Sequence, residues 1–216
     1  MLSRVTDRCE VCRPSDPRAA SRLPFRSASL VALAIVWVVC LLSHGGNLDR
    51  RLFSEIHGHS ANLLTVADRV STLGSPQFLS AVLAVGAGVL LWSRRIRATV
   101  VLIALVLSCR IVRFVQEAAF ALPRPNASVA HTGGLSPYGF PSGHATNSMA
   151  TYLALALVLC SGSRWRPPAA AVAVATSLAV GMSRVLLGVH WPSDVVGGWS
   201  FGCLWIFGIL RLTDPI

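Results

Sequence analysis

The sequence predicts an all-α integral membrane bundle of six transmembrane helices, with an interfacial amphipathic segment between the first two. Composition is the first reason. Hydrophobic residues make up 53% of the 216 residues and charged residues only 13%, which is the profile of a membrane chain rather than a soluble one. The second reason is six apolar runs separated by short polar or Gly/Pro-bearing stretches. The third is the placement of Arg. All 19 basic residues are Arg, and they cluster beside the apolar runs, as topology signals do. The formal charge of +10 therefore reads as membrane topology, and no nucleic-acid partner is expected.

Residues 1–26 carry six Arg among Pro, Ser and Asp without apolar periodicity. They read as a basic, disordered cytoplasmic tail ahead of a membrane domain of 27–213. Cys9 and Cys12 form a lone C-x-x-C. The stretch offers too few ligands for zinc and has no strand–helix context for redox chemistry. The other cysteines, Cys40, Cys109, Cys160 and Cys203, fall in separate apolar runs and read as small buried hydrophobes.

The first run, Ala28 to Leu42, lacks a small-residue cleavage site after it and reads as an uncleaved span. In 44–75, Asp49, Arg50, Arg51, Glu55, His57, His59 and Asp68 alternate with Leu52, Phe53, Ile56, Leu63, Leu64 and Val66. That spacing predicts one or two amphipathic helices on the membrane surface. His57-Gly58-His59 lacks a third metal ligand and reads as loop.

Ser75-Pro76 is a helix start, with Ser as cap and Pro in the first turn. The second span then runs from about Pro76 to Trp92, and Arg94, Arg95 and Arg97 mark the turn into the third, about Ile96 to Ala119. The fourth runs from about Gly143 to Cys160, followed by Arg164 and Arg166. The fifth runs from Pro167-Pro168 to about Leu187, and the sixth from about Ser193 to Leu212. Several runs fall short of the roughly 20 residues that span a bilayer, and snorkelling polar flanks make up the difference. Gly197, Gly198, Gly202 and Gly208 suit close helix packing in the sixth. An even number of spans puts both termini with the Arg-rich turns on the cytoplasmic side of a plasma or inner membrane. The loops of about 120–142 and 188–192 then share the extracytoplasmic face. His131 and Tyr138 read as plain residues of the first of these loops.

Three motifs converge on that face. Arg124-Pro125 comes first, then Pro141-Ser142-Gly143-His144 opening a span. Last is Ser183-Arg184 with His190 and Asp194 beyond it. Ionisable groups at membrane depth are functional candidates by default. Arg124 and Arg184 offer planar forks of donors suited to phosphate. Ser142 and Gly143 sit where a helix N-terminus can present N–H groups to an anion without obstruction. A His with a carboxylate four residues on can be held in one tautomer with its other nitrogen free.

This set resembles the type 2 phosphatidic acid phosphatase (PAP2) superfamily, whose members remove phosphate from lipids, over roughly residues 76–213. The resemblance implies His190 as the nucleophile that forms a phosphohistidine and Asp194 as the group that orients it. It further implies His144 as the acid for the leaving alkoxide and then the base for water. No metal and no cofactor are implied, in keeping with the lack of a carboxylate cluster for Mg²⁺. The expected partners are the bilayer and a lipid phosphate or diphosphate of the polyprenyl diphosphate, phosphatidic acid or phosphatidylglycerophosphate type. A lipid phosphotransferase and a non-catalytic lipid-phosphate-binding protein are the alternatives.

One position departs from the family. The Lys expected seven residues before the Arg of Arg-Pro is Glu117 here. Arg113 lies one helical turn before Glu117, on the same face. The expectation is that Arg113 reaches out beside Glu117 and stands in for the Lys, with Arg110 as a deeper alternative.

Overall fold

The computed structural model describes residues 27–57, 60–126 and 136–213. The expectations for the basic tail, Cys9, Cys12, His59 and His131 lie outside the described residues. Among the described residues eight helices follow in order: α1 Ser27–Ser43, α2 Asn47–Ile56, α3 Ala61–Thr72, α4 Pro76–Trp92, α5 Ile96–Phe120, α6 Gly143–Leu159, α7 Arg166–Leu186 and α8 Pro192–Thr213. Among the described residues no strand forms beyond one bridge, Pro123 with Tyr138.

The start of α4 follows from its sequence. Ser75 caps it, its hydroxyl accepting from the Phe78 N–H at 3.2 Å, and Pro76 occupies the first helical position, where its missing N–H costs nothing.

Helices α5, α7 and α8 are each long and apolar enough to cross a membrane. Two further pairs pass the same test only when taken together across a bend. They are α1 with α2, at 90°, and α3 with α4, at 42°. Among the described residues the count from length and composition is thus three spans, or up to five with each bent pair as one.

Helix α6 is the centre of the bundle. It has 17 residues, about 25 Å at 1.5 Å per residue, and packs on α4, α5, α7 and α8. Its Ala145, Ala150, Ala154 and Ala156 are buried, and small side chains let neighbouring backbones approach. The main core forms around it from Leu90, Leu102, Leu105, Val106, Leu153, Val158, Phe201, Ile206 and Leu210. Large apolar side chains point outward from the rim, among them Ile35, Trp92, Ile96 and Phe114, as suits a lipid-facing surface. Cys40 and Cys109 are buried as expected, whereas Cys160 and Cys203 are half-buried, and all four are free thiols.

The segment expected to be amphipathic makes a packing contact that the sequence did not announce. Helix α3 packs along α7. Its Ala67 and Ser71 are buried, and the turn after it reaches down to α6, where Tyr152 Oη donates to the Leu73 carbonyl at 2.7 Å. Small and polar residues on one face of α3 fit it against a neighbour, a signal that its scattered charges obscured.

Side-chain bonds define two ends of the bundle. At one end Arg95 donates to the carbonyls of Leu159 and Val158, both at 3.4 Å, tying the α4–α5 and α6–α7 turns together. Arg211, near the end of α8, donates to Ser27 at the start of α1 at 3.0 Å. The other end gathers the close of α1 and the start of α2, the segment after α5, the start of α6 and the α7–α8 turn.

Candidate active site

The α7–α8 turn sets the first half of the site. Gly188 adopts φ 73°, the left-handed conformation that lets a helix close on itself. Val189 N–H then bonds back to the Arg184 carbonyl at 3.2 Å. This turn delivers His190, 1% exposed, next to Asp194, 0% exposed, at the start of α8. His190 Nδ1 lies 3.2 Å from Asp194 Oδ2, and the Trp191 N–H donates to the same oxygen at 3.0 Å.

The other ring nitrogen, Nε2, faces Arg124 Nη1 at 2.6 Å. A guanidinium only donates, so Nε2 must present a lone pair and Nδ1 must carry the hydrogen that goes to Asp194. The surroundings alone thus fix the tautomer. Burial, the largest effect, lowers the His190 pKa to about 4 in spite of the Asp194 hydrogen bond. The ring is therefore neutral at physiological pH.

Arg124 is held at three points. Its Nε donates to the Ser136 carbonyl at 2.8 Å and its Nη1 to the Val189 carbonyl at 3.0 Å as well as to His190. The segment carrying it is closed at its base by Gly139 N–H to Leu122 O at 2.7 Å and Arg124 N–H to Pro137 O at 3.3 Å. Gly139 is there for close approach, since a Cβ at that position would stand 2.7 Å from Asp194 Oδ2. Burial lowers the Arg124 pKa, with Glu117 and Asp194 acting in the opposite sense.

The N-terminus of α6 supplies the second half. Ser142 N–H donates to the Asp194 main-chain carbonyl at 3.0 Å, which joins the start of α6 to the start of α8. The two helix starts are treated differently. Asp49 of α2 closes α8, accepting from Ser193 N–H at 2.9 Å and from the Ser193 hydroxyl. Ser142 makes no side-chain cap on α6. Its hydroxyl is buried and has no partner among the described residues. The open start of α6 thus leaves free N–H groups at the positive end of the helix dipole, a chemistry that suits an anion.

Three arginines surround that opening. Arg113 pairs with Glu117 one turn on, and a Cβ at Gly143 would lie 3.1 Å from Arg113 Nη1. Arg184, 7% exposed, donates from Nη1 to Ser71 of α3 at 2.6 Å. The Nε groups of Arg113 and Arg184 are buried without partners among the described residues. His144 lies within electrostatic range of Arg184, His190, Arg124 and Arg113. Arg110 instead turns to Ser80 of α4 at 3.0 Å.

All eight residues singled out in the sequence, Arg113, Arg124, Ser142, Gly143, His144, Arg184, His190 and Asp194, thus fall in one cluster. Glu117 and Arg113 are paired as expected. Three site-shaping residues gave no sequence signal: Ser71, Asp49 and His44. His44 Nδ1 contacts Asp194 Oδ1 at 2.9 Å and its Nε2 contacts Pro123 O at 3.1 Å. Their partners lie far off in the chain, and the residues around them read only as helix ends or amphipathic surface. Among the described residues no group of three or more His, Cys, Asp or Glu could hold a metal.

A family model described as the PAP2 superfamily matches residues 96–215. The chain belongs to the PAP2 superfamily. It is similar to "Phosphatidylglycerophosphatase B" of Bacillus subtilis, 35% identical over 85 residues, 38% of this chain and 42% of the relative. It is also similar to "Undecaprenyl-diphosphatase" of Sulfolobus acidocaldarius, 37% identical over 82 residues, 37% of this chain and 36% of the relative. These matches span less than half the length of either relative. Among solved structures, a transmembrane PAP2 type phosphatidylglycerolphosphate phosphatase from Bacillus subtilis has the same fold, with a TM-score of 0.78 at 24% identity over 87% of this chain and 97% of that one. The PAP2 architecture therefore extends beyond the segment matched by the family model, back through the bent helix pairs.

Proposed function

We infer that this PAP2 chain hydrolyses a lipid phosphate or diphosphate through a phosphohistidine. The observation that carries the reading is His190, held with Nδ1–H toward Asp194 and the Nε2 lone pair toward Arg124. A phosphate at the open start of α6 would accept from Arg113, Arg124 and Arg184 and from the first N–H groups of the helix, all donors aimed where charge gathers in phosphoryl transfer. Arg124 moves from Nε2 to a phosphate oxygen as the phosphorus takes its place.

Nε2 then forms a bond to phosphorus while the bond from phosphorus to the lipid oxygen breaks. His144 in its protonated form gives its proton to that oxygen. In the second step His144 takes a proton from water, the water oxygen bonds to phosphorus, and the N–P bond breaks. Inorganic phosphate leaves and His190 is neutral again.

The geometry is compatible with six spans. In this arrangement α1, α4, α5, α6, α7 and α8 cross, and α2 lies at the interface. Arg94, Arg95, Arg97, Arg164 and Arg166 crowd the turns at the end away from the site, which favours a cytoplasmic position for that end and an extracytoplasmic site. The substrate class follows the relatives' names: a phosphatidylglycerophosphate or a polyprenyl diphosphate, with phosphatidic acid as a third member of the panel. The test is phosphate release from these three lipids by purified protein. His190→Ala should abolish it on whichever lipid is turned over. Single-turnover activity surviving in His190→Ala would reject the phosphohistidine route.

A further inference from the structure

We propose that His44 is a positioning residue for this reaction: hydrogen-bonded at both ring nitrogens, it fixes the Asp194 carboxylate that in turn orients His190. The role rests on the hydrolytic reading of the site given above.

The geometry begins with what each ring nitrogen meets. Nδ1 lies 2.9 Å from Asp194 Oδ1, and Nε2 lies 3.1 Å from the Pro123 carbonyl oxygen. Both neighbours are acceptors. The carbonyl has no hydrogen to give, and Asp194 is already accepting from Trp191 N–H and His190 at its other oxygen. A neutral imidazole carries a single N–H and would set one lone pair against another. Both contacts are satisfied together only by the imidazolium. Among the described residues the charged groups acting on the ring are Asp194 on α8 and Asp49 on α2, both acidic. Phe140 packs edge-on to it, with centroids 6.3 Å apart. Burial works against the charge, but the hydrogen bond and charge of Asp194, then the Pro123 carbonyl and Asp49, leave the His44 pKa raised above its ordinary value.

The consequence lies at Asp194. Its Oδ2 holds His190 and Trp191, and His44 is the side chain on Oδ1. With Oδ1 held, the carboxylate plane cannot turn, so Oδ2 stays on His190 Nδ1–H and Nε2 stays free to attack. The added positive charge makes the carboxylate a weaker base, which keeps the proton on His190 Nδ1. Through Pro123 the same ring also anchors the residue next to Arg124. One side chain at the end of α1 thus ties the orienting carboxylate to the phosphate clamp.

Two measurements test this. The first needs no substrate: ¹⁵N NMR of ring-labelled protein, with the His44 signals assigned by their loss in His44→Gln. Both ring nitrogens should be protonated at pH 7 and titrate above the range of an ordinary His. A neutral His44 at pH 7 overturns the proposal, even if the protein proves to be a phosphatase.

The second is the pH dependence of kcat and KM for two variants. His44→Asn keeps an amide donor near Nδ1, facing Asp194. His44→Gln keeps one near Nε2, facing Pro123. Action through Asp194 predicts that kcat falls roughly tenfold or more in His44→Gln and less in His44→Asn, with KM little changed. The alkaline limb of the wild-type profile should be lost in both. A residue that merely ties the loop predicts the reverse order with the limb retained, and that result overturns the proposal. If His44→Gln does not fold, His44→Asn compared with wild type decides by the same limb. A wild-type protein inactive on every lipid phosphate would sink the hydrolytic reading, and the NMR titration would still settle the ionisation of His44.

Discussion

Arg113 and Glu117 pair one turn apart on α5, and the paired guanidinium ends against Gly143, the first residue of α6. The carboxylate at position 117 is thus neutralised by an Arg that reaches the start of α6. If Arg113 stands in for the Lys as proposed, Arg113→Ala should lower kcat/KM at least roughly tenfold, about 1.4 kcal/mol, and it leaves Glu117 buried and unpaired. Adding Glu117→Lys to Arg113→Ala should restore much of the loss. Wild-type turnover in a folded Arg113→Ala protein would reject the replacement.

Ser71 fixes Arg184 from α3. Ser71→Ala should raise KM several-fold while sparing kcat more, since Arg184 keeps its charge but loses its hold. Arg184→Lys should be worse than Ser71→Ala, because an ammonium cannot reproduce the fork. Steady-state kinetics on the preferred lipid checks the order.

Gly139→Ala should cost activity out of proportion to its size. The new methyl would stand 2.7 Å from Asp194 Oδ2, forcing the carboxylate off His190. A fall in kcat of roughly tenfold or more is expected. Gly208→Ala is the matched control, since a Cβ there meets nothing within 4 Å. Equal activities for the two variants would refute this role for Gly139.

His190 and His44 push stability in opposite directions with pH. His190 is held neutral, its pKa lowered to about 4. Below the unfolded value of about 6.5 the unfolded chain therefore binds the extra proton, and stability falls as pH drops toward 4. The His44 pKa is raised, so its contribution is fully present below about 6.5 and is lost as pH rises through the folded value. The melting temperature should peak near pH 6–7. His190→Gln should flatten the acid side and His44→Gln the alkaline side. A monotonic profile for the wild type would contradict the assignment whose limb is missing.

Sidedness can be read by labelling. Tyr138 is exposed at the site end and Trp165 at the other. In a background without native cysteines, Tyr138→Cys should react with an impermeant reagent in intact cells, and Trp165→Cys only after permeabilisation. The reverse pattern would place the site in the cytoplasm.

Much of this protein was legible in its sequence because the signals were local. Ser75-Pro76 announced a helix start, and each long apolar run gave a helix close to its expected bounds. The motif residues lie near span ends, so an alternating topology was enough to bring Arg124, His144 and His190 together. The hidden parts are the contacts that cross the fold. His44 is 150 residues from Asp194, and Asp49 is 144 from Ser193. Each sits where a helix end or a surface charge is the plain reading. The packing of α3 on α7 is hidden as well, because the charges of α3 are visible in sequence and its neighbour is not.

The open start of α6 has a further consequence. A helix end carries about half a unit of positive charge from its peptide dipoles, and no codon specifies it. Alanine scanning of Arg113, Arg124 and Arg184 will therefore reach a floor of residual phosphate affinity that side-chain deletion cannot remove. Side chains around such a helix start can therefore differ without removing all of its attraction for an anion, because part of that attraction is written into the backbone.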